Sequence, residues 1–568
     1  MEHSTTDNEP KASKNRQWDR EEVASNLIQF ERVRAHASQR QASEDLGVPR
    51  TTLRHWLARK DSLDVSPVVA AFFEHPDGLA FLHRLVIAAQ FVTLLYSNGS
   101  IRMLCLFLEL SGLDAFVASS YGAQQKVAAI LEEEVAAFGQ LERARLAPIM
   151  RQKKITVCED ETFHPKICLV AIEPVSNFII LEGYAEQRDT KTWTEAMRGA
   201  LSDLPVSIIQ VASDEAKALI CHAKTELKAH HSPDLFHGLH EIGKGIFLPL
   251  SSQIDRAKKE HDDAVQATER LMKDRRNWAA LSWNKSGKSP DFDKLIDASE
   301  WREVATEVDL ERAVARKDRA QAILNEISDA YHPFDLTTGS HRRAEQVAQL
   351  LSDSFSCLDT ITREASLSDR ATQHIDKARR LIPSMLETIA FFWSMVSIIL
   401  KELELSPHVE QAMLQHLIPA YYLHIAAGKA LVPKRRAILA VAEKLLVPLR
   451  ASDGPFASLD EEQVLQLESV AKECASLFQR SSSCVEGRNG HLSLRHHSQH
   501  NISHRKLQAL TVVHNFGVER PDGTTAAERF FGNKPKSLFK HLLDRIDLPA
   551  RPAKRRSKPV SQPRLLVA

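Results

Sequence analysis

Charge of one sign is not in excess in this 568-residue chain: 74 basic residues stand against 74 acidic ones. Net charge therefore points to no partner, and any polyanion-binding role has to be sought in local clusters. Cysteine is scarce. The seven thiols, at positions 105, 158, 168, 221, 357, 474 and 484, make no CxxC pair. That pattern argues against a zinc ribbon and a disulfide framework and fits a reduced, cytosolic setting. The first twenty residues have no apolar core, which excludes a signal peptide. Long apolar runs are missing too. The longest, "IAFFWSMVSIIL" (389–400), is shorter than the roughly 20 residues that cross a bilayer, so a buried helix and no membrane partner are expected. With 43% apolar and 26% charged residues, the composition is that of a soluble globular protein with three or four domains.

Local patterns begin with "RQASEDLGVPRTTLRHWLARK" (40–60). Ala42, Leu46, Val48, Leu53 and Leu57 are spaced as two short helices around a turn at Gly47, a helix-turn-helix. The second helix, starting near Pro49, would expose Arg50, Thr51, Thr52, Arg54 and His55, groups that donate to phosphates and base edges. An ordinary helical hairpin is the plainer alternative. Residues 66–150 are helical, and 100–133 reads as packing rather than as a second DNA reader.

The periodicity then changes. "KITVCED" (154–160) is a β-branched strand, and 166–189 reads as two strands around the turn "PVSN". A Thr-capped amphipathic helix (190–204), a buried strand "VSIIQVASD" (206–214) and another helix follow. This order makes an α/β layer. Almost everything from 240 to 480 is helical, with "AYHPFDLTTGS" (330–340) as the clear break.

Asp160 and Asp214 each end an apolar strand, 54 positions apart. In an open α/β sheet the carboxyl ends of strands face the ligand crevice. Two carboxylates meeting there repel unless a cation lies between them. Hard divalent ions prefer such oxygen donors, and a pair of them serves phosphoryl transfer. The plain alternative is that both are turn residues.

The order of these features resembles the RNase H-like catalytic domain of DDE transposases and retroviral integrases. "TKTW" (190–193) places Trp193 in the helix after the third strand. "PDLFH" gives Asp234-x-x-His237, similar to a [C/D]xxH motif. "VEGRNGHL" resembles a Glu-bearing segment, with Glu486 as third carboxylate and Asn489 beside it. "VVHNFGVERPDGTTAAERFFG" (512–532) resembles the close of such domains. Some 270 residues separate Asp214 from Glu486 where simple members have a few dozen; branches such as the hAT-like transposases carry a helical insertion there. Glu468, Glu473 and Glu528 compete with Glu486.

The resemblance implies an α/β plus all-α protein: an RNase H-like core interrupted by a large helical insertion, with an N-terminal helix-turn-helix. The expected parts are a disordered 1–20, the helix-turn-helix at 21–62, a helical linker at 63–150, the first core part at 151–240, the insertion at 241–480, the last core part at 481–545 and a basic disordered tail at 546–568. It implies two Mg²⁺ ions, for which Mn²⁺ can substitute, on Asp160, Asp214 and Glu486. Asp234, His237 and Asn489 stand behind them, and Arg488 contacts DNA. The partners are double-stranded transposon ends and target DNA, met by a homo-oligomer in a bacterial cytoplasm. Rivals are a domesticated DNA-binding relative without catalysis, a related nuclease and a helical scaffold. Glu159 and Glu161 face away from Asp160, and His164 reads as structural. The stretch 491–504 with Arg495 and Arg505 reads as a DNA-facing basic segment, and Trp278, Trp283, Trp301 and Trp393 read as core.

Overall fold

The computed structural model describes residues 18, 20–60, 65–163, 166–281, 288–499 and 501–552. The chain divides into two compact units, Met1–Arg151 with His491–Ala568, and Gln152–Gly490. An α/β class combined with a large helical part describes what is seen: helices throughout, and one five-stranded mixed sheet.

In the first unit, helices Arg20–Val33, Gln39–Asp45 and Arg50–Lys60 enclose a small core of Val23, Leu27, Phe30, Ala42, Val48, Leu53 and Trp56. Gly47 has φ +59°, the left-handed geometry that a tight turn between helices asks of glycine. Leu46 and Leu57 are only partly buried against this core. Order starts before position 21, because Trp18 packs edge-on against Trp56 at 5.5 Å. Arg50, Thr51, Arg54 and His55 are exposed and Thr52 is half-buried.

Helices Pro76–Phe91, Ile101–Leu110 and Tyr121–Leu146 complete the N-terminal part of this unit, and helices His504–Val512, Ala526–Phe531 and Leu538–Arg545 belong to it as well. The segment 491–545, expected in the last core part, is counted with this unit. The expected basic face of 491–504 is corrected. Arg495 is fully buried and donates to the carbonyls of Leu94 and Leu95, and Arg505 pairs with Glu132 and Glu133. A guanidinium is buried only where its donors are met. The tail does not loosen at 546: Arg551 is ion-paired with Glu74 and the Pro552 carbonyl accepts from Arg59. His164, Trp283, His500 and the basic residues after 552 lie outside the described residues.

The second unit holds strands β1 (Lys153–Phe163), β2 (Ile167–Glu173), β3 (Phe178–Ala185), β4 (Val206–Ser213) and β5 (His230–Pro233). Their order in the sheet is β3-β2-β1-β4-β5. β2 is antiparallel to β1 and β3, while β1, β4 and β5 run parallel. The β2–β3 turn falls on "PVSN" as expected, with Asn177 at φ +63° and Glu173 accepting from the N–H groups of Val175 and Ser176. The helix after β3, Thr190–Leu201, is capped by Asp189 rather than by a threonine. The reason is reach: the Asp189 carboxylate accepts from the Thr192 N–H at 2.8 Å.

Helix Leu235–Leu281 leaves the sheet and continues for 47 residues. It pairs antiparallel with helix Phe292–Ala330 through Thr268–Ser299 and Arg275–Asp293 contacts. Trp301 on this hairpin is 75% exposed, contrary to the core role expected of it. Trp393 is half-buried against the core, donating to the Arg342 carbonyl, and the break at 330–340 sends Tyr331 and Phe334 into the core, Phe334 beside Phe392 and Tyr422. Two stretches, Pro76–Tyr96 and Asp369–Glu402, are long and apolar enough to cross a membrane. In the second, Ile389, Phe392, Val396 and Leu400 are buried in the helical core.

Candidate functional site

The register of the sheet builds the site. β1 pairs with β4 as far as Cys158 opposite Ala212, and β4 pairs with β5 as far as Ser213 opposite Pro233. Asp214 and Asp234 stand one step past the last β4–β5 rung and Asp160 two steps past the last β1–β4 rung, all at the carboxyl ends of parallel pairings. Asp160 does not end its strand, however. β1 runs on to Phe163 because β2 continues to pair with it, Asp160 standing opposite Val170. What ends at this level is the β1–β4 pairing, and that opens the crevice.

Alternation along β1 sorts the three consecutive acids. Glu159 is fully buried with His222 Nε2 at 3.5 Å, and Glu161 accepts from Trp193 Nε1 at 3.0 Å with Arg188 at 3.5 Å. Asp160 alone turns to the other face. Its Oδ1 accepts from the Glu161 N–H at 2.8 Å and its Oδ2 from Asn489 Nδ2 at 2.9 Å.

Asp234 caps helix Leu235–Leu281. Its Oδ1 accepts from the Phe236 N–H, and its Oδ2 takes both His237 Nδ1 at 3.0 Å and the Ser482 hydroxyl at 2.6 Å. The i, i+3 spacing of the "DLFH" motif on a first helical turn makes the Asp–His contact. Glu486 sits in the first turn of helix Ser483–Gln499, a position the helix dipole favours for a carboxylate. Ligand atoms of Asp234, His237 and Glu486 lie within 4.8 Å of one another. Ser482 gives its hydroxyl to Asp234, while its carbonyl accepts from the Val485 and Glu486 N–H groups.

The electrostatics follow from this crowding. Burial pushes the Asp160 carboxyl up to about 7, and the negative charges of Glu486 and Asp214 add to it, against the Glu161 N–H and His237. The hydrogen bond to Asp234 lifts His237 to about 9, helped by the charges of Asp160 and Asp214 and opposed by burial. Burial disfavours the Asp234 carboxylate, but hydrogen bonds from His237, Ser482 and the Phe236 N–H outweigh it and hold its pKa below the usual carboxylate value. These contacts favour the imidazolium form of His237 beside Asp234 and Glu486.

Of the residues expected at the metal site, the close cluster holds Asp234, His237 and Glu486; Asn489 is bonded to Asp160, the charges of Asp214 and Glu486 act on Asp160, and Asp214 lines one cleft with Asp234 and His237. Of the competing acids, Glu468 pairs with Lys472 on helix Glu461–Ser476, Glu473 is exposed on that helix, and Glu528 belongs to the other unit. Arg488 is a correction. It is buried and forms two hydrogen bonds, at 2.7 and 2.6 Å, with the buried Glu182 of β3. A buried carboxylate on β3 requires a charged partner, so this guanidinium ties helix to sheet and is not available to DNA.

The donor set fits a hard divalent cation. It is rich in carboxylate oxygen, its negative charge is only partly offset by His237, and the buried Asn489 Oδ1 beside Asp160 has no hydrogen-bond partner among the described residues. Sequence reasoning missed Ser482, which no motif marks, and the cleft lined by Asp214, Asp234, His237, Glu241, Lys377 and Arg380, about 420 Å³ in volume. A larger cleft of about 580 Å³ between helices Ile418–Gly428, Val432–Arg450 and Glu461–Ser476 is mainly apolar. Convergent ionisable groups, not size, mark the first as the candidate site.

Residues 413–558 are similar to a family described as "Family of unknown function (DUF6399)", a match that includes Glu486 and Asn489. No curated protein and no solved structure matches the chain.

Proposed function

We propose that this protein is a DDE-type transposase, a Mg²⁺-dependent phosphoryl-transfer enzyme on DNA whose RNase H-like core is interrupted by the helical insertion. The observation that carries this reading is that the charges of Asp214 and Glu486 both act on the Asp160 carboxyl, with Glu486 also within 4.8 Å of Asp234 and His237, although some 270 residues separate Asp214 from Glu486. The sheet, with β2 antiparallel and β1, β4 and β5 parallel, is compatible with such a core.

In this reading Asp160, Asp214 and Glu486 hold two Mg²⁺ ions, with Mn²⁺ able to substitute. When bound, the ions supply Lewis-acid activation of an attacking oxygen and stabilise the leaving one. Asn489 fixes the Asp160 carboxylate, and Asp234 keeps His237 protonated and oriented toward the acids. Gly487 and Gly490 are exposed with open space around them, which lets a DNA backbone come close to the helix that bears Glu486. Helix Arg50–Lys60 reads the duplex, and the active assembly is a homo-oligomer on transposon ends and target DNA.

The test is cleavage of DNA carrying the sequences that flank the gene, with Mg²⁺ or with chelator. Wild type should nick it only with the metal and join the freed 3′ end to a target duplex. Asp160→Asn and Asp214→Asn should bind the same DNA and cut nothing. Cleavage by Asp160→Asn would rule the assignment out, and cleavage without joining would leave a nuclease.

A further inference from the structure

The cleft that holds the acids has a second wall of opposite charge, supplied by the helical insertion. Helix Asp369–Arg379 lies directly on helix Leu235–Leu281. Two glycines make that approach possible. A Cβ at Gly245 would come within 2.8 Å of the Ala371 carbonyl oxygen, and one at Gly238 within 2.8 Å of Leu381 Cδ1. The two are seven residues apart, two turns along one face of the helix.

Between them, Glu241 acts as a tether. It meets His374 at 2.8 Å, Lys244 at 3.3 Å and Lys377 at 3.4 Å. Burial opposes its charge, but these hydrogen bonds and cations hold its pKa down to about 2. Two lysine ammoniums face this one carboxylate, which leaves positive charge over. Lys377 and Arg380 line the same cleft as Asp214, Asp234 and His237. Arg380 is exposed and has no ion-pair partner among the described residues. The next helix, Ile382–Glu402, begins two residues after Arg380 with no acidic residue in its first turn.

We propose that Lys377 and Arg380 form a phosphate-binding wall that holds a phosphodiester of a nucleic-acid strand next to the one positioned at the carboxylates. The ligand class rests on the transposase reading; the anion site rests on the cleft itself. A guanidinium pairs with phosphate oxygens in a bidentate fork and a lysine adds a point charge. The insertion is then part of the substrate cleft and not only a spacer between Asp214 and Glu486.

The experiment measures binding of a fluorescent single-stranded oligonucleotide of mixed sequence by the full-length protein in Ca²⁺ across a salt series. Removing two phosphate contacts from a single strand lowers the slope of log K against log salt by about 1.4. That fall is expected for Lys377→Ala with Arg380→Ala. Arg380→Lys should keep most of the slope. Arg312→Ala with Lys317→Ala, on helix Phe292–Ala330 and not among the residues that line the cleft, should leave it unchanged. No binding by wild type, an unchanged slope in the double variant or an equal fall in the hairpin variant would each overturn the proposal. An unchanged slope in a protein that still cuts DNA with Mg²⁺ removes the wall and spares the transposase reading. The expected fall in a protein that never cuts DNA removes that reading and keeps the anion site.

Discussion

Asn489 donates to the Asp160 carboxylate at 2.9 Å although 329 positions separate them in sequence. The bond joins helix Ser483–Gln499 to β1 at the point where the acids meet, and the other oxygen of Asp160 is held by the backbone. Losing a group that orients a metal-binding carboxylate typically costs about 10–100-fold in metal affinity or activity. Asn489→Ala should therefore raise the Mg²⁺ concentration needed for cleavage within that range, with duplex binding unchanged. A titration of cleavage against Mg²⁺ checks this, and an unaltered midpoint would remove Asn489 from the site.

Metal affinity should rise with pH. Asp160 is pushed up to about 7, so at pH 6 it is mostly protonated and a cation has to displace that proton. The thermal shift produced by Mn²⁺ should be larger at pH 8 than at pH 6, and Asp160→Asn should flatten the difference.

Metal-free stability runs the opposite way. The pKa of His237 is raised to about 9 in the folded state, so its contribution is fully present below about 6.5, the unfolded value, and is lost as pH climbs through 9. The fall in stability from pH 7 to 9 should be steeper in wild type than in His237→Gln. Parallel denaturation curves for the two proteins would show that His237 is not held as an imidazolium.

Arg488 should matter for folding rather than for DNA contact. Its removal leaves Glu182 buried without a partner, a change that costs about 3–5 kcal/mol. Arg488→Ala should lower the melting temperature strongly. Arg488→Met with Glu182→Leu should restore most of it, because a matched apolar pair needs no desolvated charge. Equal melting of Arg488→Ala and wild type would contradict the buried pair.

On helix Arg50–Lys60, Arg50 and Arg54 are exposed one turn apart. If both meet phosphates, Arg50→Ala with Arg54→Ala should lower the salt slope of duplex binding by about 1.8. Unchanged duplex binding across the salt series would exclude this helix as the reader.

Much of this was legible along the chain because the signals are local. The β-branched run of β1, the "PVSN" turn and the helix-turn-helix core at Ala42, Val48 and Leu53 each follow from neighbouring residues. So does the Asp234–His237 contact, since i and i+3 meet on any helix. β5 was not legible: "HHSP" is polar and ends in proline, and only pairing with β4 makes it a strand. Arg488 and Arg495 looked like surface cations, because sequence records a charge but not the burial or the distant acid and carbonyls that satisfy it.

By itself the sequence determined which side chains were able to form an acidic site and that Asp160 and Asp214 lie in or just past apolar strands, because strand alternation and helix periodicity are properties of consecutive residues. Tertiary structure decided the rest: that Glu486 comes within 4.8 Å of Asp234 and His237, that Asn489 holds Asp160 and Ser482 holds Asp234, and that Lys377 and Arg380 line one cleft with Asp214 and Asp234. Those choices depend on contacts between residues as much as 329 positions apart. Such contacts are settled by how helices pack over a sheet, and no local pattern encodes that.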